Sequence, residues 1–329
     1  MTRFATTLGL FPLPDWAKSR LTELKGRQRD DLISGNEGSA ITGVYDEART
    51  EVIEWQADAG LDRIVEGQLR WDDMLCHPLV VHDHVDTGGL VRYYDNNNFY
   101  RETIVRDSLS PDGDVAAELR SAGAHSAGPL QAIFPGPHSL AHLATDAYYE
   151  DETTFLAAVG EFLAGEIAAL ESVETLMLLE PSLVTDPPDD LDPVVEALDA
   201  IAAAARTAAI DDVIVQTYWG APHESVYAAI LGIDSLGIGL DLVTAGEDAL
   251  DLVTSNGVSS TVSLGVVDGQ NTRIESPAEV TETVERFEQA ADGLDRVYLT
   301  PNTELFYLPT NRAVEKLTSL ATVVSGGEA

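Results

Sequence analysis

Lysine is almost missing from this chain: Lys18, Lys25 and Lys316 are the only three in 329 residues. The other basic residues are arginines, and 19 basic side chains stand against 56 acidic ones, a net charge of −37. Such a chain has no basic footprint for nucleic acid. A folded domain with this charge repels itself in dilute buffer, whereas at molar salt the screening length falls to about 3 Å. The acids are spread along the whole chain instead of gathered against one basic partner, so the composition reads as halophilic, an adaptation to a salt-rich cytoplasm. Cys76 is the sole cysteine, which excludes an internal disulfide and a multi-cysteine zinc site. Long apolar runs are also lacking: no segment approaches the roughly 18 residues of a membrane span, and MTRFATTLGLF lacks the core of a signal peptide. The expectation is a soluble cytoplasmic protein with no membrane partner. No Gly-x-Gly-x-x-Gly follows the first strand and no Gly-x-Ser-x-Gly occurs, so dinucleotide binding and triad chemistry have no support.

What the chain does have is a large apolar fraction, 44%, enough for a substantial core. Short apolar runs alternate with segments of helical period. The strand candidates are residues 3–11, 62–70, 130–136, 175–182, 212–219, 236–243, 261–269 and 296–302. Amphipathic helices fall between them, including 155–173, 191–208 and 276–293, the last opening on Ser276-Pro277 and stopping at Gly293. Eight strands alternating with helices fit an α/β fold of the (β/α)8 TIM-barrel kind, one domain over residues 1–329. Residues 71–129 are too long for one crossover. They read as a β-rich insertion between strands 2 and 3, at the barrel mouth, with a Gly88-Gly89 turn.

In such a barrel, ligands bind at the C-terminal ends of the strands. Those ends are polar here, with Gln68, Arg70, Glu180, Gln216, Tyr218, Asp241, Asp268 and Asn302. Two readings stand: the residues line a cleft, or they cap loops and helices, Asp268 and Asn302 above all. For Glu180 the choice is between a ligand at the mouth and a nearby Arg that holds the barrel together. Arg92, Asp95 and Asn96, in the stretch around DNNNFYRET, suit a polar planar ligand through hydrogen bonds and stacking, or serve as ordinary turn formers. His82-x-His84 has the spacing of a metal pair on a strand, but no further ligand comes from a late strand end. Two exposed histidines on a surface strand is the simpler reading, and no metal is expected in this chain.

Nine strings run in order over nearly the whole length: TTLGLFPLPDW (6–16), GQLRWDD (67–73), RYYDNNNFYR (92–101), FPGPHSLA (134–141), LLEPSLV (178–184), VQTYWG (215–220), GIGLDLV (237–243), GVVDGQN (265–271) and LTPNTELFYLP (299–309). In that order they resemble the cobalamin-independent methionine synthase family, within the uroporphyrinogen-decarboxylase-like superfamily of barrels. The resemblance implies two similar barrels, the C-terminal one holding a zinc ion that makes the homocysteine sulfur a thiolate for attack on a methyltetrahydrofolate-like donor. The family's zinc ligands are a His-x-Cys, a Glu and a late Cys. Here those positions fall on Tyr218 and Gly220, on or near Asp241, and on Thr303. Leu10 and Gln68 stand where a Ser and a Glu are expected to grip the amino acid. The pattern is closer to the N-terminal, non-catalytic barrel. The resemblance therefore implies the zinc-less half of a split methyltransferase that works with a zinc-bearing partner chain. The alternatives are a stand-alone folate or pterin-binding protein, or another enzyme of the superfamily such as a decarboxylase or a corrinoid methyltransferase.

Overall fold

The computed structural model describes residues 1–23, 37–71, 73–94, 98–126 and 128–326. Its strands are β1 (Thr2–Ala5), β2 (Val85–Arg92), β3 (Phe99–Val105), β4 (Leu130–Pro135), β5 (Ala144–Asp146), β6 (Val173–Leu179), β7 (Asp212–Gln216), β8 (Leu236–Asp241), β9 (Thr261–Val267) and β10 (Arg296–Pro301). Seven of them form one sheet in the order β1-β10-β9-β8-β7-β6-β4, and every neighbouring pair is parallel. All six residues of β4 and of β8 are buried, as expected of parallel strands covered on both faces. Helices between them supply the long crossovers that parallel pairing demands. The helix Pro277–Ala290 starts with a complete capping box, Ser276 and Glu279 satisfying each other's backbone N–H groups. It ends three residues before Gly293, which takes a left-handed turn with φ 79°.

The eight-strand expectation meets its main exception at residues 62–70. Asp62 N–H donates to the Ala5 carbonyl (2.9 Å), Ile64 N–H to that of Pro129 (3.0 Å), and Gln131 N–H to that of Ile64 (2.8 Å). This segment thus lies between β1 and β4, but it pairs only through an isolated Ile64–Leu130 bridge. Two causes are visible. The Gln56 side-chain amide accepts from Val65 N–H and donates to Val65 C=O, both at 2.9 Å, replacing strand partners. Gly67 and Gln68 then adopt φ of 100° and 50°, which turns the chain away.

A second sheet, in the order β2-β3-β5, stands apart from the first. The β2–β3 pair is antiparallel, while β5, from beyond β4, joins in parallel and so lies outside the expected 71–129 segment. Gly88 and Gly89 do not make the turn. They sit inside β2, where the register shifts between Thr87 and Leu90, and a Cβ at Gly88 would come within 2.4 Å of Glu102. The glycines allow an irregular strand pair to close up. The hairpin reverses further on, where Tyr93 N–H donates to the Asn98 carbonyl at 2.9 Å.

One of the three lysines is wholly buried. Lys316, on the helix Thr310–Val324, donates to Glu275 Oε2 (2.6 Å) and to the Arg273 carbonyl (2.5 Å), tying this last helix to the segment before Pro277–Ala290. Removing one partner from a buried pair strands the other charge. Lys316→Ala is therefore expected to cost about 3–5 kcal/mol. The loss should persist in molar salt, because a buried pair is poorly screened. Chemical denaturation at two salt concentrations checks this; a loss under about 1 kcal/mol would mean that the pair does not hold the helix.

Candidate functional site

The C-terminal ends of the strands gather the polar residues that the sequence singles out, and most are already engaged by the protein. After β7 the chain stays pinned to β8: Thr217 donates to the Gly239 carbonyl through both its N–H (3.0 Å) and its hydroxyl (2.7 Å). Trp219 N–H then reaches Asp241 Oδ2 (3.0 Å). Asp241 Oδ1 accepts from the N–H groups of Val243 (3.0 Å) and Thr244 (2.8 Å), capping the helix Leu242–Asn256. Asn302 closes the set by donating Nδ2 to Asp241 Oδ1 (3.2 Å) while its Oδ1 accepts from Gly269 N–H (2.9 Å). Four donors thus converge on one carboxylate that is 1% exposed.

Glu180 does the same for the preceding unit. Its oxygens accept from His138 N–H (2.9 Å), Ser139 N–H (2.9 Å) and the Ser139 hydroxyl (2.6 Å), at the start of the helix Pro137–Leu143. These partners are backbone and hydroxyl groups, and no Arg is among them. Gln68 accepts from Leu10 N–H (2.9 Å) and donates to the Ile133 carbonyl (3.3 Å), binding the loop after β1. Leu10 and Gln68 both have positive φ, 40° and 50°, so this junction holds backbone strain. Each of these side chains needs a glycine opposite. A Cβ at Gly9, Gly136 or Gly239 would come within 2.0–2.2 Å of Gln68, Glu180 or Gln216 respectively.

The other candidates divide. Arg70 is drawn into an ion network with Glu37 and Glu118 and lies 5.3 Å from the Tyr45 ring centre. Arg92 is exposed at the end of β2. Asp268 is half-buried and accepts from Gln270 N–H (2.9 Å) in its own turn. Gln216 donates to the Thr217 carbonyl (3.0 Å), leaving its buried Oε1 without a partner. Asp95 and Asn96 lie outside the described residues. The hairpin that flanks them brings Tyr93 and Tyr94 onto Trp219, with ring centres 6.2 and 5.4 Å away, and Tyr218 packs on Trp219 at 4.9 Å. The Tyr93 hydroxyl donates to Asp73 (2.5 Å) and that of Tyr218 to Met74 sulfur (3.4 Å).

His82 and His84 are not two exposed rings on a strand. They precede β2; His82 is buried, edge-on to Phe162, and its ring nitrogens are occupied by Ser110 and by His84 N–H. His84 Nδ1 meets the Ser108 carbonyl at 2.6 Å. A cleft of about 740 Å³ does exist, between His138, His142, Asp146 and Asp189, but no described candidate lines it.

The residue that sequence reading missed is Glu304. It is 2% exposed, and neither side-chain oxygen has a hydrogen-bond partner in any other residue. Burial pushes its carboxyl up to about 7; Glu180 is raised likewise to about 7 and Glu66 to about 8. An acid wedged between Thr303 and the apolar run Leu305-Phe306-Tyr307 was the available signal.

The positions to which the resemblance assigns zinc ligands do not fit zinc. Gly220 has no side chain and Asp241 is saturated by four donors. Burial, helped by the nearby Glu304, holds the Tyr218 phenol well above its ordinary range, and the Thr303 hydroxyl turns to the Glu304 carbonyl (3.4 Å). Among the described residues, no three His, Cys, Asp or Glu side chains gather as a metal site would require.

Fold and site together define an α/β protein with a seven-stranded parallel sheet and a second, small β-sheet. The chain belongs to the cobalamin-independent synthase family, matching the family model "Cobalamin-independent synthase, N-terminal domain" over residues 82–292. A methionine synthase of Saccharolobus islandicus (strain L.S.2.15 / Lassen #1) is 21% identical over 318 residues, covering 96% of this chain and 92% of that one. The 5-methyltetrahydropteroyltriglutamate–homocysteine methyltransferase of Rhodopseudomonas palustris (strain TIE-1) is 30% identical over 153 residues, 46% of this chain but 19% of that one. The solved B12-independent methionine synthase of Shewanella sp. W3-18-1, in complex with selenomethionine, aligns with TM-score 0.74 over 98% of this chain and 96% of that one, at 17% identity. This last likeness speaks for the fold. No helix among the described residues is long and apolar enough to cross a membrane.

Two expectations follow from the geometry. Glu180→Gln swaps an acceptor oxygen for an N–H₂ facing backbone N–H groups, so it should cost about 1–2 kcal/mol without altering ligand affinity. Unchanged melting with weakened binding would return Glu180 to the ligand. Below about pH 7 the folded Glu304 carboxyl is neutral, whereas in the unfolded chain it ionises near its usual 4.5. Its contribution is complete below that pH and is lost as pH rises through about 7, a penalty of about 3 kcal/mol in alkaline buffer. Glu304→Gln should thus raise the melting temperature near pH 8 and leave it nearly unchanged near pH 4.5. A melting temperature that does not rise near pH 8 would show Glu304 to be satisfied after all.

Proposed function

We propose that this chain is the zinc-less half of a split cobalamin-independent methionine synthase. In this reading it acts with a zinc-bearing barrel chain to transfer methyl from a methyltetrahydrofolate-like donor to homocysteine. Residues 62–66 serve as the eighth position of a (β/α)8 barrel, bridging β1 and β4, and the hairpin within 71–129 is the insertion over its mouth. The observation that carries the reading is the donor set. Activating sulfur at a metal requires soft or deprotonated ligands, and this strand-end set offers a buried phenol, a glycine, a hydroxyl and a carboxylate already spent on a helix. Membership in the family of the N-terminal domain supports the same division of labour. The even spread of acidic residues fits work in a salt-rich cytoplasm.

The test is reconstitution in molar salt. The purified chain should carry well under one zinc per molecule by elemental analysis and form no methionine from homocysteine and a methyltetrahydropteroyl glutamate. Activity should arise when a zinc-bearing barrel chain from the same organism is added. Stoichiometric zinc, or turnover by the chain alone, would overturn the reading.

A further inference from the structure

We propose that Glu304 is a ligand-binding residue of this barrel end, its two oxygens receiving the paired N–H donors of a planar heterocycle with an amidine-like edge, such as a 2-aminopyrimidinone ring. The proposal rests on the reading above and deepens it, because it names which edge of the donor this chain holds.

Glu304 is the exception among the buried acids of the sheet. Asp241 and Glu180 are filled by helix N–H groups, and Asp212 accepts from Arg296 (2.5 Å) and the Tyr298 hydroxyl (2.5 Å). Glu304 has neither role. Both oxygens are shielded from water and no other residue bonds to them; only the backbone N–H of Glu304 itself bears on the carboxyl, and no cation does. A buried polar group left unmet weakens the fold, so its presence calls for a purpose that packing does not supply.

The surroundings say what would suit it. Glu304 follows β10 at the same end of the sheet as Asp241, and its charge is felt by two phenols, Tyr218 and Tyr307. Each has an aromatic neighbour in the chain: Tyr218 lies 4.9 Å from Trp219, and Tyr307 lies 5.1 Å from Phe306. Ring faces accept a flat ligand, and a carboxylate with two open oxygens matches an N–C–N pair of donors in bidentate fashion. Phe306 and Tyr307, two and three residues beyond Glu304, are 39% and 47% exposed, so this aromatic pair reaches the surface close to the carboxyl in the chain.

Calorimetry on the whole chain, in molar salt at neutral pH, compares pterin with lumazine, which carries a carbonyl in place of the 2-amino donor. Pterin should bind, and lumazine should bind at least about tenfold more weakly, the worth of one charge-assisted hydrogen bond. Glu304→Gln should lower pterin affinity by a similar factor or more while melting no lower than the parent. Absence of pterin binding, equal affinity for lumazine, or undiminished binding by Glu304→Gln would each overturn the proposal. The pterin–lumazine comparison uses the unaltered chain and stands even if the variant fails to fold. It is independent of zinc content: lost pterin selectivity with partner-dependent methyl transfer intact removes this inference alone, and stoichiometric zinc removes the split-enzyme reading alone.

Discussion

Everything at the polar end of this sheet follows from the cost of burying a carboxylate. A charged or strongly polar group taken out of water must recover its hydrogen bonds from the protein. Asp241 does so with four donors from three different segments, and Glu180 with three from one helix start. The strand end and the next helix are thereby fixed to each other by one side chain. Glycines opposite Gln68, Glu180 and Gln216 are the steric counterpart, since no larger residue leaves room for them. Glu304 is conspicuous only against that background.

Much of the parallel sheet was legible because its strands are buried on both faces and read as unbroken apolar runs. Runs at 130–136, 236–243 and 261–269 correspond closely to β4, β8 and β9. The segment 62–70 was read as a full strand from its short apolar run around Ile64-Val65, yet its pairing is settled by the remote Gln56 amide. The three residues of β5 carry no pattern at all; their strand character comes only from lying beside Thr103–Val105. Local sequence does not encode a partner that distant.

The candidate site was legible as a set of residues and less so as a set of roles. Polar residues at strand ends were visible, but cap and ligand contact look alike in one dimension. Which of them is spent on a helix start depends on how the crossover returns. His82 shows the same limit in reverse: a spacing suited to a metal pair is used instead to hold the loop backbone, His82 meeting Ser110 and His84 the Ser108 carbonyl.

The filled helix starts have a consequence for the kind of molecule this end of the sheet can hold. Barrels commonly grip phosphorylated ligands with the exposed N–H groups at the beginning of a helix. After β4 and after β8 those groups already face an internal carboxylate, from Glu180 and Asp241. An incoming phosphate would find each of these two anion seats taken and a negative charge in its place.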